Sequence, residues 1–194
     1  LKLALAERIT SGRLILAGFT AHLVPRKISH ALRVCLIADL KFRTAAAARE
    51  ADVSGKEAAK WIHKQDEDAA AWVKAVTGLN DPWGAALYDI VIPMDKTTPA
   101  EAQALILKYF GRDVLRPTEP SLQAVQDLLL AAKVEVALAR EGHHVQVDAE
   151  NGAVSLTINK HVLMLGRLEE ELKSIAGKVP GVRSLATKVG KDYH

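Results

Sequence analysis

A short proline-containing segment divides this chain into two parts with different hydrophobic patterns. Residues 116–120 read Arg-Pro-Thr-Glu-Pro and show no apolar periodicity. Because proline fixes its own φ and donates no backbone hydrogen bond, such a segment is typical of a linker. The sequence therefore predicts a first domain over residues 1–115, a linker over 116–120 and a second domain over 121–194.

The first part alternates short apolar runs with helical segments. Runs typical of buried strands occupy residues 14–17, 32–38 and 88–92, and the stretch 20–29 between the first two favours helix. Parallel strands need a crossover connection of this kind, whereas antiparallel strands can be joined by a tight turn. The pattern predicts an α/β domain built on a parallel sheet.

Two helix starts in the first part carry complete capping signals. Residues 54–57 read Ser-Gly-Lys-Glu, which has the form of a capping box and divides the helical pattern over 40–76 into two helices. Residues 98–101 read Thr-Pro-Ala-Glu, which adds proline at the first helical position. We expect a helix to begin at each point, and the second to end near residue 110.

The second part alternates helix and strand differently. Asn151-Gly152, between two segments of alternating polarity, is a strong signal for a β-hairpin. The predicted elements are a helix over 121–139, strands over 145–148 and 154–158, a helix from Val162 to Ile175 and a strand over 182–189. The pattern predicts a small α+β domain of αββαβ order.

Charge and hydropathy exclude two classes of protein. Lys and Arg number 17 against 14 Asp and Glu over residues 1–119, and 9 against 9 over residues 120–194. Neither part has the dense basic face that double-stranded nucleic acid requires. No apolar run approaches the ~18 residues that span a bilayer. We therefore expect no double-stranded nucleic-acid partner and, without a signal peptide, a cytoplasmic location.

The residue types that commonly bind metals or act as nucleophiles lack a suitable arrangement. The single cysteine, Cys35, lies in an apolar run, which favours a buried and unreactive thiol. His143, His144 and His161 lack the cysteine or carboxylate partners of a zinc site. The acidic residues 66–68 are consecutive on a predicted helix and so point in different directions. We expect no metal, no cofactor and no catalytic residue.

Several segments between residues 14 and 109 share an arrangement with a known enzyme family. They are a strand ending in the turn Ala17-Gly18-Phe19-Thr20, the strand 32–38, the pair Phe42-Arg43, residues 54–57, Asp66, the strand 88–92 and the segment 95–102. In these features the chain resembles the C-terminal portion of the cytidylate-kinase-like P-loop family. The resemblance implies a partial P-loop kinase-like parallel sheet with a helical lid.

The same resemblance directs attention to four positions. Phe19 stands where the family has an arginine for the substrate phosphate, and Ala69 stands where its lid has a second phosphate-binding arginine. Phosphoryl transfer needs such charges, together with a phosphate-binding loop that in the family precedes this region and is absent from the sequence. Arg43 and Arg49 remain at family positions, and the resemblance implies that they are candidates for binding nucleotide or phosphate.

Residues 121–194 resemble a BON domain. The resemblance rests on the helix over 133–138, the hairpin over 151–156 and the segment 179–185, which reads Val-Pro-Gly-Val-Arg-Ser-Leu. It implies a domain that binds a phospholipid surface or a macromolecular partner such as another protein, and that has no catalytic residues.

Together these patterns predict a noncatalytic binding or regulatory protein, in which a degenerate nucleotide-kinase-like scaffold is joined to a BON domain. The alternative is a nucleoside monophosphate kinase of cytidylate type whose P-loop half lies upstream of Leu1. A P-loop-type sheet without its first strand exposes an apolar edge, so we expect a homo-oligomer or association with an upstream segment.

Overall fold

The computed structural model describes residues 1–190 and divides them into two compact units. Unit 1 comprises residues 1–15, 24–28 and 118–190, and unit 2 comprises residues 16–23 and 29–117. The helices are α1 Lys2–Thr10, α2 Leu40–Ala51, α3 Gly55–Thr77, α4 Pro99–Phe110, α5 Glu119–Arg140 and α6 Leu165–Ala176. The strands are β1 Val34–Ile37, β2 Ile90–Pro93, β3 Gln146–Glu150, β4 Ala153–Ile158 and β5 Ser184–Val189. The fold is mixed α/β.

Unit 1 is built on a mixed three-stranded sheet with the order β3-β4-β5. Strand β3 runs antiparallel to β4, and β5 runs parallel to β4 after the crossover through α6. Val154, Leu156 and Ile158 alternate along β4 and are buried against α5 and α6, where Leu138 and Leu172 are also buried. The unit therefore runs helix, strand, strand, helix, strand from α5 onward.

The predicted hairpin forms at Asn151-Gly152. The two residues have φ of 49° and 81°, which is the left-handed pair that a two-residue type I′ turn requires. The backbone N–H of Asn151 also donates to Asp127 Oδ1 at 2.8 Å, so α5 fixes the turn. Local turn residues and one long-range hydrogen bond thus specify the register of β3 and β4.

Unit 2 contains a two-stranded parallel sheet, β1-β2, with Val34 opposite Ile90. The prediction of a third strand over 14–17 is wrong, because these residues form no strand and Ile15 is 94% exposed. A strand must find a partner for its backbone groups, and β1 and β2 pair only with each other among the described residues. An apolar run without such a partner stays irregular.

The helix predicted over 20–29 is also wrong. The structure has a short 3₁₀ turn, Phe19–Leu23, at this point. Pro25 lies two residues after this turn, and inside a helix proline removes a hydrogen bond and clashes with the preceding turn. The helical segment therefore ends at Leu23.

Both predicted capping boxes are present. Ser54 and Glu57 cap α3, and Asp52, at φ 52°, ends α2 two residues earlier. Thr98 and Glu101 cap α4 in the same way, with Pro99 in its first turn. In both cases the helix begins where the sequence predicts it.

The first fifteen residues lie with unit 1, which differs from the predicted first domain over 1–115. Leu5 and Ala6 are buried, and α1 packs on α5. Lys2 Nζ and Glu135 Oε1 are 2.6 Å apart across this contact. The apolar face of α1 is buried by α5, which lies more than a hundred positions further along the chain.

The predicted linker, 116–120, is shorter in the structure. The boundary between the units falls between Pro117 and Thr118. Thr118 caps α5 and Glu119 begins it, with Pro120 in its first turn. A proline is compatible with the first turn of a helix because its missing N–H would have no intrahelical acceptor there.

No helix in residues 1–190 is long and apolar enough to cross a membrane.

The turn at Gly152 gives a first test. A Cβ there would lie 2.9 Å from the Arg183 side chain and 3.1 Å from the Gly181 carbonyl oxygen, at a φ of +81°. We expect Gly152→Ala to lower the free energy of unfolding of unit 1 by roughly 1–3 kcal/mol. Urea unfolding followed by circular dichroism measures the change.

Gly166 is the matched control. It lies in α6, where an added Cβ would meet nothing within 4 Å, so Gly166→Ala should raise stability by about 0.5–1 kcal/mol. Equal effects of the two substitutions would show that the turn at Gly152 is not constrained as described.

Candidate functional site

The carboxyl ends of β1 and β2 form the candidate site of unit 2. Open α/β sheets bind ligands beyond the carboxyl ends of their strands. Helix α2 begins three residues after β1, and α4 begins six residues after β2. The backbone N–H of Met94 donates to the carbonyl of Ile37 at 2.7 Å, so the two segments meet just beyond the sheet.

Acidic side chains already occupy both helix N-termini at this edge. The Asp39 carboxylate accepts from the Phe42 N–H at 2.7 Å, at the start of α2. The Glu101 carboxylate accepts from the Thr98 N–H at 2.8 Å, at the start of α4. Hydrogen bonds from Thr98 lower the pKa of Glu101, so this group stays ionised. Two carboxylates disfavour a phosphate where the helix N–H groups would otherwise attract one.

Arg43, one of the two predicted phosphate-binding residues, is engaged in an ion pair. Its two terminal nitrogens donate to the two carboxylate oxygens of Asp66 on α3, at 2.8 and 2.6 Å. The guanidinium also lies 5.9 Å from the centre of the Trp83 ring. Hydrogen bonding to Asp66 raises the pKa of Arg43. The pair joins α2 to α3, and a phosphate would have to displace Asp66 to reach this guanidinium.

Arg49, the other candidate, lies in the last turn of α2 and is exposed. It follows Arg43 by six positions, so the two side chains leave the helix about 120° apart. The structure therefore does not bring the two candidate residues together into one phosphate-binding site.

Phe19 and Ala69, the two positions where the resemblance predicts arginine, lie in the 3₁₀ turn and in α3, and these two elements contact each other. The Trp72 ring N–H donates to the carbonyl of Phe19 at 3.0 Å. Ala69 lies one helical turn before Trp72 and is 6% exposed. The Phe19 ring stacks on His22 at 6.0 Å between centroids. Aromatic and apolar packing thus fills the place where the resemblance predicts positive charge.

A polar network that the sequence did not reveal lies beside this contact. The Tyr88 hydroxyl donates to the carbonyl of Pro82 at 2.6 Å, and His22 Nε2 lies 3.2 Å from the same hydroxyl. Cys35 lies close enough to Tyr88 to raise the pKa of its hydroxyl. These residues are up to 66 positions apart, and no local motif links them.

The Tyr88 hydroxyl and the Cys35 thiol are both protonated at ordinary pH. Burial, followed by the neighbouring Cys35, raises the pKa of Tyr88 to about 12. Burial also raises the pKa of the Cys35 thiol, which is 4% exposed. A protonated, enclosed thiol is a poor nucleophile. The network is suited to holding β1, the 3₁₀ turn and the loop around Pro82 in place.

The three acidic side chains at 66–68 contact three different basic side chains. Asp66 pairs with Arg43, Glu67 Oε1 lies 3.4 Å from His63 Nε2, and Asp68 Oδ1 lies 2.6 Å from Lys64 Nζ. No cluster of three metal-ligating side chains occurs within the described range 1–190.

Unit 1 carries a shallow polar cleft of about 220 Å³ between α5 and the turns that precede β4 and β5. Lys133 and Arg183 contribute positive charge to its wall, and Asp127 contributes a carboxylate. That carboxylate accepts from the Asn151 N–H and from the Gln123 side chain, at 2.8 and 3.0 Å. The cleft offers charged groups of both signs, and Leu129 and Leu130 add apolar surface to its wall.

The model of the cytidylate kinase-like family matches residues 2–96, which are 95 of the 194 residues. Comparison with curated proteins gave no match, and neither did comparison with solved structures. The family match ends before unit 1 resumes at Thr118, so the resemblance of that part to a BON domain stays a prediction.

The Arg43 pair predicts a stability difference between two neighbouring aspartates. Asp66→Asn removes a partly buried, bidentate, charge-assisted pair, and we expect unit 2 to lose about 1–2 kcal/mol. Urea unfolding followed by tryptophan fluorescence reports on unit 2, because all three tryptophans lie there.

Asp68→Asn is the control on the same helix. Its pair with Lys64 has side chains 67% and 65% exposed, so its loss should change the unfolding midpoint very little. A larger effect at Asp68 than at Asp66 would contradict the structural role of the Arg43 pair.

The cap of α4 predicts a pH effect. Because the pKa of Glu101 is lowered in the folded state, the cap stabilises the fold above the ordinary carboxyl pKa and loses this contribution as pH falls through the lowered value. We expect Thr98→Ala to return the pKa of Glu101 towards 4.5, as followed by NMR titration. The pKa of Glu57, which Ser54 lowers, should stay unchanged and serves as the internal control.

Proposed function

We propose that this chain is a noncatalytic binding or regulatory protein. Unit 2 is a cytidylate-kinase-like scaffold that does not transfer phosphoryl groups, and unit 1 is a BON-like unit that binds a macromolecular partner. The observation that carries this proposal is that Phe19 lies against α3, where its carbonyl accepts from Trp72, and that Ala69 is buried on the same helix.

The contact at Phe19 and Ala69 argues against phosphoryl transfer on two grounds. Neither side chain can neutralise charge on a transferring phosphoryl group, and an arginine in that role is worth about 10³-fold or more in rate. Ala69 is also buried, and the Phe19 carbonyl accepts from Trp72. An arginine at this position would have to enter an apolar contact. Alanine in place of the arginine that the resemblance predicts therefore alters both the packing and the charge.

The two arginines that the resemblance retains support the same conclusion. Arg43 already pairs with Asp66 in bidentate geometry, and Arg49 lies on a different side of α2. Asp39 and Glu101 place carboxylates at the two helix N-termini. A nucleotide phosphate would meet as much negative as positive charge at this edge.

The match of residues 2–96 to the cytidylate kinase-like family favours one alternative. In that alternative the protein is a nucleoside monophosphate kinase whose phosphate-binding loop comes from sequence upstream of Leu1. It requires Arg43 to leave Asp66 and requires other residues to supply the charge missing at Phe19 and Ala69.

For unit 1, the order helix, strand, strand, helix, strand supports the proposal of a BON-like unit. Its charges favour a protein partner over an anionic phospholipid surface, because residues 120–194 carry 9 basic and 9 acidic side chains. Attraction to anionic lipid usually needs clustered Lys and Arg. The mixed charges of the cleft at Asp127, Lys133 and Arg183 suit a polar protein segment.

A thermal-shift titration with CMP, dCMP, CDP and ATP in Mg²⁺ tests the proposal. A nucleotide present at 100 times its dissociation constant adds about 2.7 kcal/mol of stability, which is readily detected. We expect no shift with any of the four. A shift with cytidine nucleotides that Arg43→Ala removes would support the kinase alternative instead.

Restoring the family arginine gives the second arm of the test. We expect Ala69→Arg to destabilise unit 2 by about 3 kcal/mol or more, since it buries a charge in an apolar contact. Ala71→Arg, at an exposed position on the same helix, is the control and should be tolerated. A stable Ala69→Arg variant that gains cytidine-nucleotide binding would show that a phosphate pocket persists there.

A further inference from the structure

Helix α4 is apolar on two of its faces. Its inner face carries Ala102, which is 4% exposed, together with the partly buried Ile106 and Tyr109. Its outer face is exposed and carries Ala100, Ala104, Leu107 and Phe110. These four residues, spaced by three or four positions, form one continuous stripe.

The outer face has the composition of an interface. Leu107 and Phe110 are each 61% exposed, and Val114, just beyond the helix end, is 72% exposed. A helix that is apolar on all sides is normally buried, and a contiguous exposed apolar patch commonly marks an interaction site. The solvent-facing side of α4 therefore calls for a partner surface.

The side-chain sizes along the stripe allow two antiparallel copies of the helix to fit together. The N-terminal half carries the small Ala100 and Ala104, and the C-terminal half carries the large Leu107 and Phe110. When two copies of such a helix pack antiparallel, the large half of each meets the small half of the other. Leu107 then lies opposite Ala104, and Phe110 lies opposite Ala100.

The charges along α4 also favour an antiparallel pair. Glu101, in the first turn, and Lys108, in the last turn, lie on the flank of the stripe and are both exposed. An antiparallel pair brings Lys108 of each copy towards Glu101 of the other, so opposite charges meet twice. A parallel pair would place like charges side by side.

We propose that the outer face of α4 docks onto the same face of a second copy of this chain, in an antiparallel and isologous pair. This proposal does not depend on whether the protein binds nucleotide. The contact uses only residues of unit 2.

Sedimentation equilibrium of the full chain tests the pairing. We expect a reversible dimer, and we expect the double variant Leu107→Ser, Phe110→Ser to weaken dimerisation by about 100-fold or more. Leu122→Ser is the matched control, because Leu122 is 50% exposed on helix α5 and lies outside the stripe. Its dimerisation constant should equal that of the unmodified chain.

Ala104→Phe separates a specific fit from general stickiness. The substitution adds exposed apolar surface, so nonspecific association would become stronger. In the proposed pair Ala104 accepts Leu107 of the other copy, so the larger ring should weaken dimerisation by at least about tenfold. Lys108→Glu should weaken it as well, most clearly at low salt.

A chain that remains monomeric at about 100 μM, a concentration at which even a modest dimer is populated, would overturn the proposal. Stronger association of Ala104→Phe would overturn it too, and so would an equal loss of dimer in Leu122→Ser. Because the variants change only exposed residues, unchanged circular dichroism and thermal unfolding of their monomers confirm that the fold is intact.

Discussion

The buried face of α3 is the constraint on which unit 2 depends. Its sheet has only two strands, and α2 contributes no fully buried residue. Helix α3 supplies Ala58, Ile62, Ala69 and Val73 to the core from a single apolar stripe. The same helix places Asp66 against Arg43 and Trp72 against the carbonyl of Phe19. The arginine pair and the aromatic contact are therefore in place only when α3 is docked.

On the proposed function, this dependence explains how unit 2 stays folded without the charges of a phosphate site. An arginine that faces a ligand must be kept partly desolvated and unpaired, which is costly in a free protein. Of the positions where the resemblance predicts a phosphate-binding arginine, one is the buried Ala69, a second is Phe19, and a third, Arg43, is paired with Asp66. Each of these states is more stable without a ligand than an array of unpaired cations would be.

The sequence predicts correctly those parts of the fold that depend on interactions between neighbouring residues, namely helix caps and a hairpin turn. The capping boxes at Ser54 and Thr98 and the turn at Asn151-Gly152 each satisfy backbone groups within a few residues, so the pattern alone identified them. The apolar run at 14–17 has the composition of a strand, but strands are completed by distant partners, and this one has none among the described residues.

Side-chain chemistry was still harder to foresee, because it depends on residues far apart in the chain. The acceptor that engages Arg43 lies 23 positions away, and the hydroxyl next to His22 lies 66 positions away. The sequence did identify Arg43 and Asp66 separately, as two marks of one family resemblance. Helix geometry could have suggested that consecutive helices α2 and α3 bring them together, whereas nothing local pointed to the network around Tyr88.

The discontinuous composition of unit 1 has a consequence for its synthesis on the ribosome. Lys2 and Glu135, which pair across the α1–α5 contact, are 133 positions apart. At a synthesis rate of about 5–20 residues per second, roughly 7–27 s pass between the synthesis of Lys2 and that of Glu135. During this time α5 cannot cover the apolar face of α1. Throughout that interval the complete sequence of unit 2 emerges and can fold first. During this interval the nascent chain thus carries an uncovered amphipathic helix, which is the kind of segment that chaperones protect.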